Sequence, residues 1–179
     1  MNNGLQDLTV LKLAEDVADT IWNVTNRWSP LARDTVGKQV IRSSDSIGAN
    51  IAESYGRFHF SDKVNFLYYA RGSLFETKYW LNRCATRRLM AQNQTDKLAS
   101  DLGDIARQLN GFVRYLKQQK RQTKPNKLKE ESPPYVTESI QLVTDDEITW
   151  LENTDPGIEL AEPANLQSLI FNQPGISHD

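Results

Sequence analysis

The chain has 179 residues, 39% of them hydrophobic and 25% charged, which fits one domain with a sizeable core or one domain plus an appendage. No apolar run approaches the roughly 20 residues that cross a bilayer, so membrane insertion is excluded. The net charge of −2 conceals an asymmetry: residues 1–124 hold 19 Lys and Arg against 12 Asp and Glu, whereas residues 125–179 hold 2 against 11. A basic body followed by an acidic tail points to polyanion contact by the body, with the tail as an internal competitor. The first residues, MNNGLQDLTVLKLAEDVAD, carry acids where a secretory signal has a basic region. With a single cysteine, Cys84, no internal disulfide can form, and the expected location is the cytoplasm.

Periodicity predicts four helices. In the first, Val10, Ala14, Val17, Ile21, Val24 and Trp28 recur at alternating spacings of four and three, and the stretch ends near Ser29-Pro30. Val36, Val40, Ser44, Ile47 and Ile51 carry a second from about Leu31 to Tyr55, stopped by Gly56. For the third, Ser61 is the expected N-cap, with Asp62 in the first turn. Its stripe of Val64, Leu67, Leu74, Leu81 and Ala85 runs towards Met90 and is interrupted by Arg71 and Lys78. Thr95 or its neighbours open the fourth, whose Leu98, Leu102, Ile105, Leu109, Phe112 and Leu116 keep the alternation. The expected fold is all-α, an antiparallel up-down-up-down four-helix bundle over residues 1–124. Beyond it lies an irregular, acidic, Pro-containing extension over 125–179. Two short docking helices are expected there: one at Thr144, whose spacing to Glu147 is that of a capping box, and one from Asn165 to Phe171. They would lie on the bundle or on a neighbouring subunit.

Within the second helix, Ser43, Ser46, Asn50 and Glu53 line a small, polar face beside Ile47 and Ile51. Small residues admit close approach of another helix, and polar groups beside an apolar seam need partners. Arg42, Ser46, Asn50, Glu53, Arg71 and Glu76 are therefore read as structural and assembly residues, with Glu76 or Glu53 pairing to Arg42 or Arg71. A catalytic carboxylate pair or an anion pocket is the competing reading of the same residues.

From Ile105 to Lys129 stand eight basic residues and no acid. Arg107, Arg114 and Arg121 recur every seventh position, with Lys117, Lys120 and Lys124 beside them, forming a ridge suited to a phosphate backbone. The bland reading is a solvated face whose cations complement the helix dipole. Arg57, between Tyr55, Phe58, His59 and Phe60, adds a cation to an aromatic turn that could stack bases. Two histidines, His59 and His178, give no zinc-site spacing. Cys84 has no histidine near it in sequence and reads as a small buried residue; Gly37-Lys38 lacks the glycines of a phosphate loop. No cofactor, no metal and no enzymatic activity are expected.

The run Gln39, Arg42, Ser46-Ile47, Asn50-Ile51-Ala52-Glu53 and Gly56-Arg57, then Ser61-Asp62, Ala70, Gly72-Ser73-Leu74 and Glu76, resembles the four-helix-bundle proteins encoded in 23S ribosomal RNA intervening sequences. The resemblance covers about Leu5 to Lys120. Ser54 stands where that family usually has Gly, which shifts the expected turn slightly later. The resemblance implies a bundle assembled into a ring-like homo-oligomer, typically a pentamer, and supplies no chemical reaction. Accessory proteins of diversity-generating retroelements use a similar bundle, as a basic pentameric barrel associated with a reverse transcriptase and with nucleic acid. The implied partners are further copies of the chain, RNA or DNA, and a reverse transcriptase.

Overall fold

The structure, a computed structural model, describes residues 8–123 and 141–153; the expected helix from Asn165 to Phe171 lies outside them. The described residues are all-α, without a strand. Helix α1 spans Thr9–Thr25, α2 Pro30–Ala32, α3 Lys38–Gly56, α4 Phe60–Thr86, α5 Gln92–Thr123 and α6 Asp145–Glu152. A π-helical turn, Arg33–Gly37, joins α2 to α3 without a break.

Each helix forms where its apolar stripe can be buried. Val10, Ala14, Val17 and Ile21 of α1, Val40, Ile47 and Ile51 of α3, Leu67, Leu74 and Leu81 of α4, and Leu98, Leu102, Ile105 and Leu109 of α5 are all buried in one core. Each large side chain among them stabilises the fold by ~1.5–3 kcal/mol. α1 packs on α3 and α5, α3 on α4, α4 on α5, and α5 on α6.

Several expected boundaries move. α1 ends at Thr25, and Ser29 caps the next helix, its hydroxyl accepting from the Ala32 N–H at 3.4 Å with Pro30 in the first turn. The π turn had no sequence signal; there Trp28 lies against Gly37, 3.7 Å from where a Cβ would stand. α4 begins at Phe60 behind His59, so Ser61 is inside the helix and is not its N-cap. It stops at Thr86 and not near Met90, because Arg88 turns to a φ of 55°. α5 opens at Gln92, and Thr95 is buried within it. Gly56 does end α3, and Ser54, fully buried, donates its hydroxyl to the Lys63 carbonyl at 2.8 Å, tying α3 to α4 across the turn.

The segment from Gln141 to Asn153 is a strap laid on the same chain. Its Leu142, Val143, Ile148 and Leu151 are buried within the common core. The expected capping box at Thr144 is present: its hydroxyl accepts from the Glu147 N–H at 3.2 Å while Glu147 accepts from the Thr144 N–H at 2.9 Å.

Candidate functional site

Along α5, the ridge divides. Arg107 is engaged, its guanidinium donating to Asp104 and to Glu152 of the strap, both at 2.7 Å, and these bonds raise its pKa. One heptad on, Arg114 is exposed beside a half-buried Lys117. Lys120 lies over the Phe60 ring at 4.6 Å, which joins the ridge to the start of α4. Arg121 belongs to α5, but its side chain, like Lys124, falls outside the described residues.

At the turn between α3 and α4, Arg57 stacks on Phe66 at 4.6 Å and pairs with Glu53 at 2.5 Å. Phe58 is 91% exposed and meets His59 edge to face at 5.2 Å, while Tyr55 is 38% exposed. Phe60 packs on the core. Of the aromatic side chains Tyr55, Phe58 and Phe60, Phe58 is the most open to solvent.

The proposed assembly residues do not form one seam. Arg42 and Glu53 are exposed. Arg42 pairs with Glu76 at 3.4 Å across α3 and α4, as one of the four expected pairings, but at the surface, where such a pair contributes ~0–1 kcal/mol. Ser46 donates back to the Arg42 carbonyl at 2.7 Å, and Asn50 donates to the Ser46 carbonyl at 2.8 Å and to the Ser73 hydroxyl at 3.5 Å. Asn50 is thus the polar link between α3 and α4 in the middle of the pair. Arg71 turns away to the strap and pairs with Glu147.

The strap brings together residues that periodicity did not mark. Asn110, 5% exposed, clamps the backbone of Val143: its amide donates to the carbonyl at 2.7 Å and its carbonyl accepts from the N–H at 2.8 Å. Phe75 and Trp150 stack nearly parallel, 9° between planes and 5.5 Å between centroids. Arg71 lies over the Phe75 ring at 4.7 Å. Lys78, an interruption of the seam in the sequence, is completely buried; its ammonium donates to the Asn153 carbonyl and lies 6.0 Å from the Trp150 ring. Burial lowers its pKa to about 8. Gly103 lets the strap approach α5, since a Cβ there would fall 2.5 Å from Glu152 Cγ. A second stripe of small residues, Ala99, Gly103, Ala106, Asn110 and Val113, at spacings of four and three, carried this signal in the sequence; all five are buried.

Cys84 is buried, as expected, and its thiol is pushed up to about 12 by burial. Among the described residues no group of His, Cys, Asp or Glu is arranged to hold a metal ion, and no helix is long and apolar enough to cross a membrane.

No curated protein sequence matches the chain at a significant level. Residues 6–111, covering α1, α3, α4 and the first part of α5, match the family model of the 23S rRNA-intervening sequence protein, and the chain belongs to that family.

Proposed function

We propose that the chain is a non-enzymatic, homo-oligomeric four-helix bundle that binds nucleic acid, structured RNA or DNA, through the basic face of α5. In this reading α1, α3, α4 and α5 alternate in direction and form a domain over 1–124, to which the acidic segment 125–179 is appended. Support for the alternation comes from α3 and α4, where the links 54 to 63, 50 to 73 and 42 to 76 run in opposite senses along the two helices.

The observation that carries nucleic-acid binding is the exposed Arg114 in a stretch of α5 and its continuation that holds cations and no acid from Ile105 to Lys129. A row of cations gains from counterion release on a phosphate backbone, and repetition around a ring multiplies its field. The family's own description, an intervening sequence of 23S rRNA, is compatible with RNA association. For assembly, support comes from α4, whose Tyr69 and Tyr79 are 59% and 52% exposed. Between them Gly72 is exposed with no atom within 4 Å of where its Cβ would stand, so another helix can approach. A pentameric ring, by resemblance, uses this face between copies, and the working location is the cytoplasm.

The same aromatic face favours one other reading, a protein-interaction scaffold serving a partner such as a reverse transcriptase. Binding of a labelled RNA hairpin across a salt series discriminates. Nucleic-acid binding by the ridge gives a steep fall of affinity with salt, and Arg114→Glu with Arg121→Glu abolishes it. Retention in that double variant would reject the ridge. Native mass of the full chain, with and without RNA, reads the oligomer at the same time.

A further inference from the structure

The strap covers cations as well as apolar surface. On α4, Arg71, Phe75 and Lys78 follow at spacings of four and three, and each meets the strap; Arg107 meets it from α5. Glu147 stands at Arg71, Glu152 at Arg107, and the Trp150 indole lies flat on Phe75. Two carboxylates and an aromatic ring set against two cations and Phe75 engage the same groups that phosphates and a base would engage.

Lys78 breaks the match. It is completely buried and meets the Asn153 carbonyl and the Trp150 ring, while the carboxylate that acts on it electrostatically, Asp96, belongs to α5 and not to the strap. A desolvated ammonium to which the docking strap brings no carboxylate opposes docking. The strap therefore fills the groove without bringing Lys78 a carboxylate, a place that a ligand with a further anion would fill.

We propose that the groove of Arg71, Phe75, Lys78 and Arg107 is a second nucleic-acid site, taking a single strand with phosphates on the three cations and a base on Phe75, and that the acidic strap occupies it as an internal competitor. The proposal deepens the nucleic-acid reading given above and rests on it, but uses none of the ridge residues Arg114 to Lys124. Stacking on an aromatic face tolerates any base, so the site selects single strands and not a sequence.

The test uses the full chain and a fluorescein-labelled 15-nucleotide oligo(U). Glu147→Gln, Trp150→Ala and Glu152→Gln together loosen the strap; Gln at 147 keeps the capping box. Asp145→Asn with Asp146→Asn, which removes as many charges from the strap without touching the groove, is the control. Loosening tightens oligo(U) binding at least tenfold, the control changes it less than threefold, and adding Arg71→Ala with Phe75→Ala returns the affinity to the wild-type value. Gly103→Ala, which drives Glu152 away while favouring helix in α5, gives a gain of the same sign without altering strap charge. No gain on loosening, or a gain that survives Arg71→Ala with Phe75→Ala, overturns the proposal. So does a labelled peptide of residues 141–153 binding the loosened chain where oligo(U) gains nothing, since the groove then reads acidic helices. Groove and ridge fail separately: Arg114→Glu with Arg121→Glu tests the ridge alone.

Discussion

Replacing Asn110 with Ala isolates the strap from the bundle that holds it. The Asn110 side chain is the sole polar clamp on Val143 that the described residues provide, and it bonds both the N–H and the carbonyl of a residue with no solvent exposure. Alanine leaves two buried backbone groups unpaired, at ~1–3 kcal/mol each. Allowing for relaxation and water entry, docking weakens by ~2–4 kcal/mol, a factor of about 30 to 700 at 1.4 kcal/mol per tenfold. The helix that carries the substitution gains, because Ala is the better helix former by a few tenths of a kcal/mol. Amide hydrogen exchange by mass spectrometry separates the two effects. Protection of peptides spanning 143–152 falls by that factor, while peptides of α5 around Leu98 to Leu109 keep theirs. Strap protection within threefold of the wild type would refute the reasoning, since the clamp would then hold nothing that the apolar anchors do not hold alone.

Four further outcomes are expected. Docking of the strap strengthens as pH rises from about 8 towards 10.5: the docked Lys78 has lost its proton by then while the undocked one keeps it, so docking releases one proton across that window and gains ~1.4 kcal/mol per pH unit. Trp150 fluorescence follows this, and Lys78→Met abolishes the pH dependence. Cys84 stays unreactive towards Ellman's reagent at pH 8 in the folded chain and reacts at once in guanidinium, because its thiol is buried and titrates near 12. Arg42→Ala lowers thermal stability by less than ~1 kcal/mol, as an exposed pair with Glu76 predicts. Ser54→Ala lowers it by ~1–2 kcal/mol, as the fully buried Ser54 hydroxyl and its bond to the Lys63 carbonyl are lost; equal melting curves for these two variants would contradict the different burial assigned to them.

How much was legible in the sequence depended on whether a residue's partner lay on a periodic stripe. The core stripes of α1, α3, α4 and α5 were readable because burial on a helix imposes the alternation of four and three that the residues display. The capping box at Thr144 was readable because both its members lie within four positions. Arg42 and Glu53 were misplaced into the seam: they neighbour Ile47 and Ile51 in the helical projection, but sit just past the edge of a stripe whose width the sequence does not give. Lys78 and Arg71 stood out as interruptions, yet their partners Asn153 and Glu147 lie more than seventy positions away, beyond any local pattern. The site was missed for the same reason. α5 carries two stripes, one of large residues for the core and one of small residues, Ala99, Gly103, Ala106, Asn110 and Val113, on the strap side. Small side chains give little hydrophobic signal, so the second stripe read as the edge of the first. What it builds is a shallow seat in which α6 rests close to the backbone of α5. The tail was therefore not only an acidic counterweight to a basic body. It supplies four buried apolar side chains and the carboxylates that hold Arg71 and Arg107, so part of the positive charge that the sequence assigns to the body is covered in the folded chain. Both Arg107 and Arg114 are exposed, and the difference between them is that Glu152 of the strap pairs with Arg107.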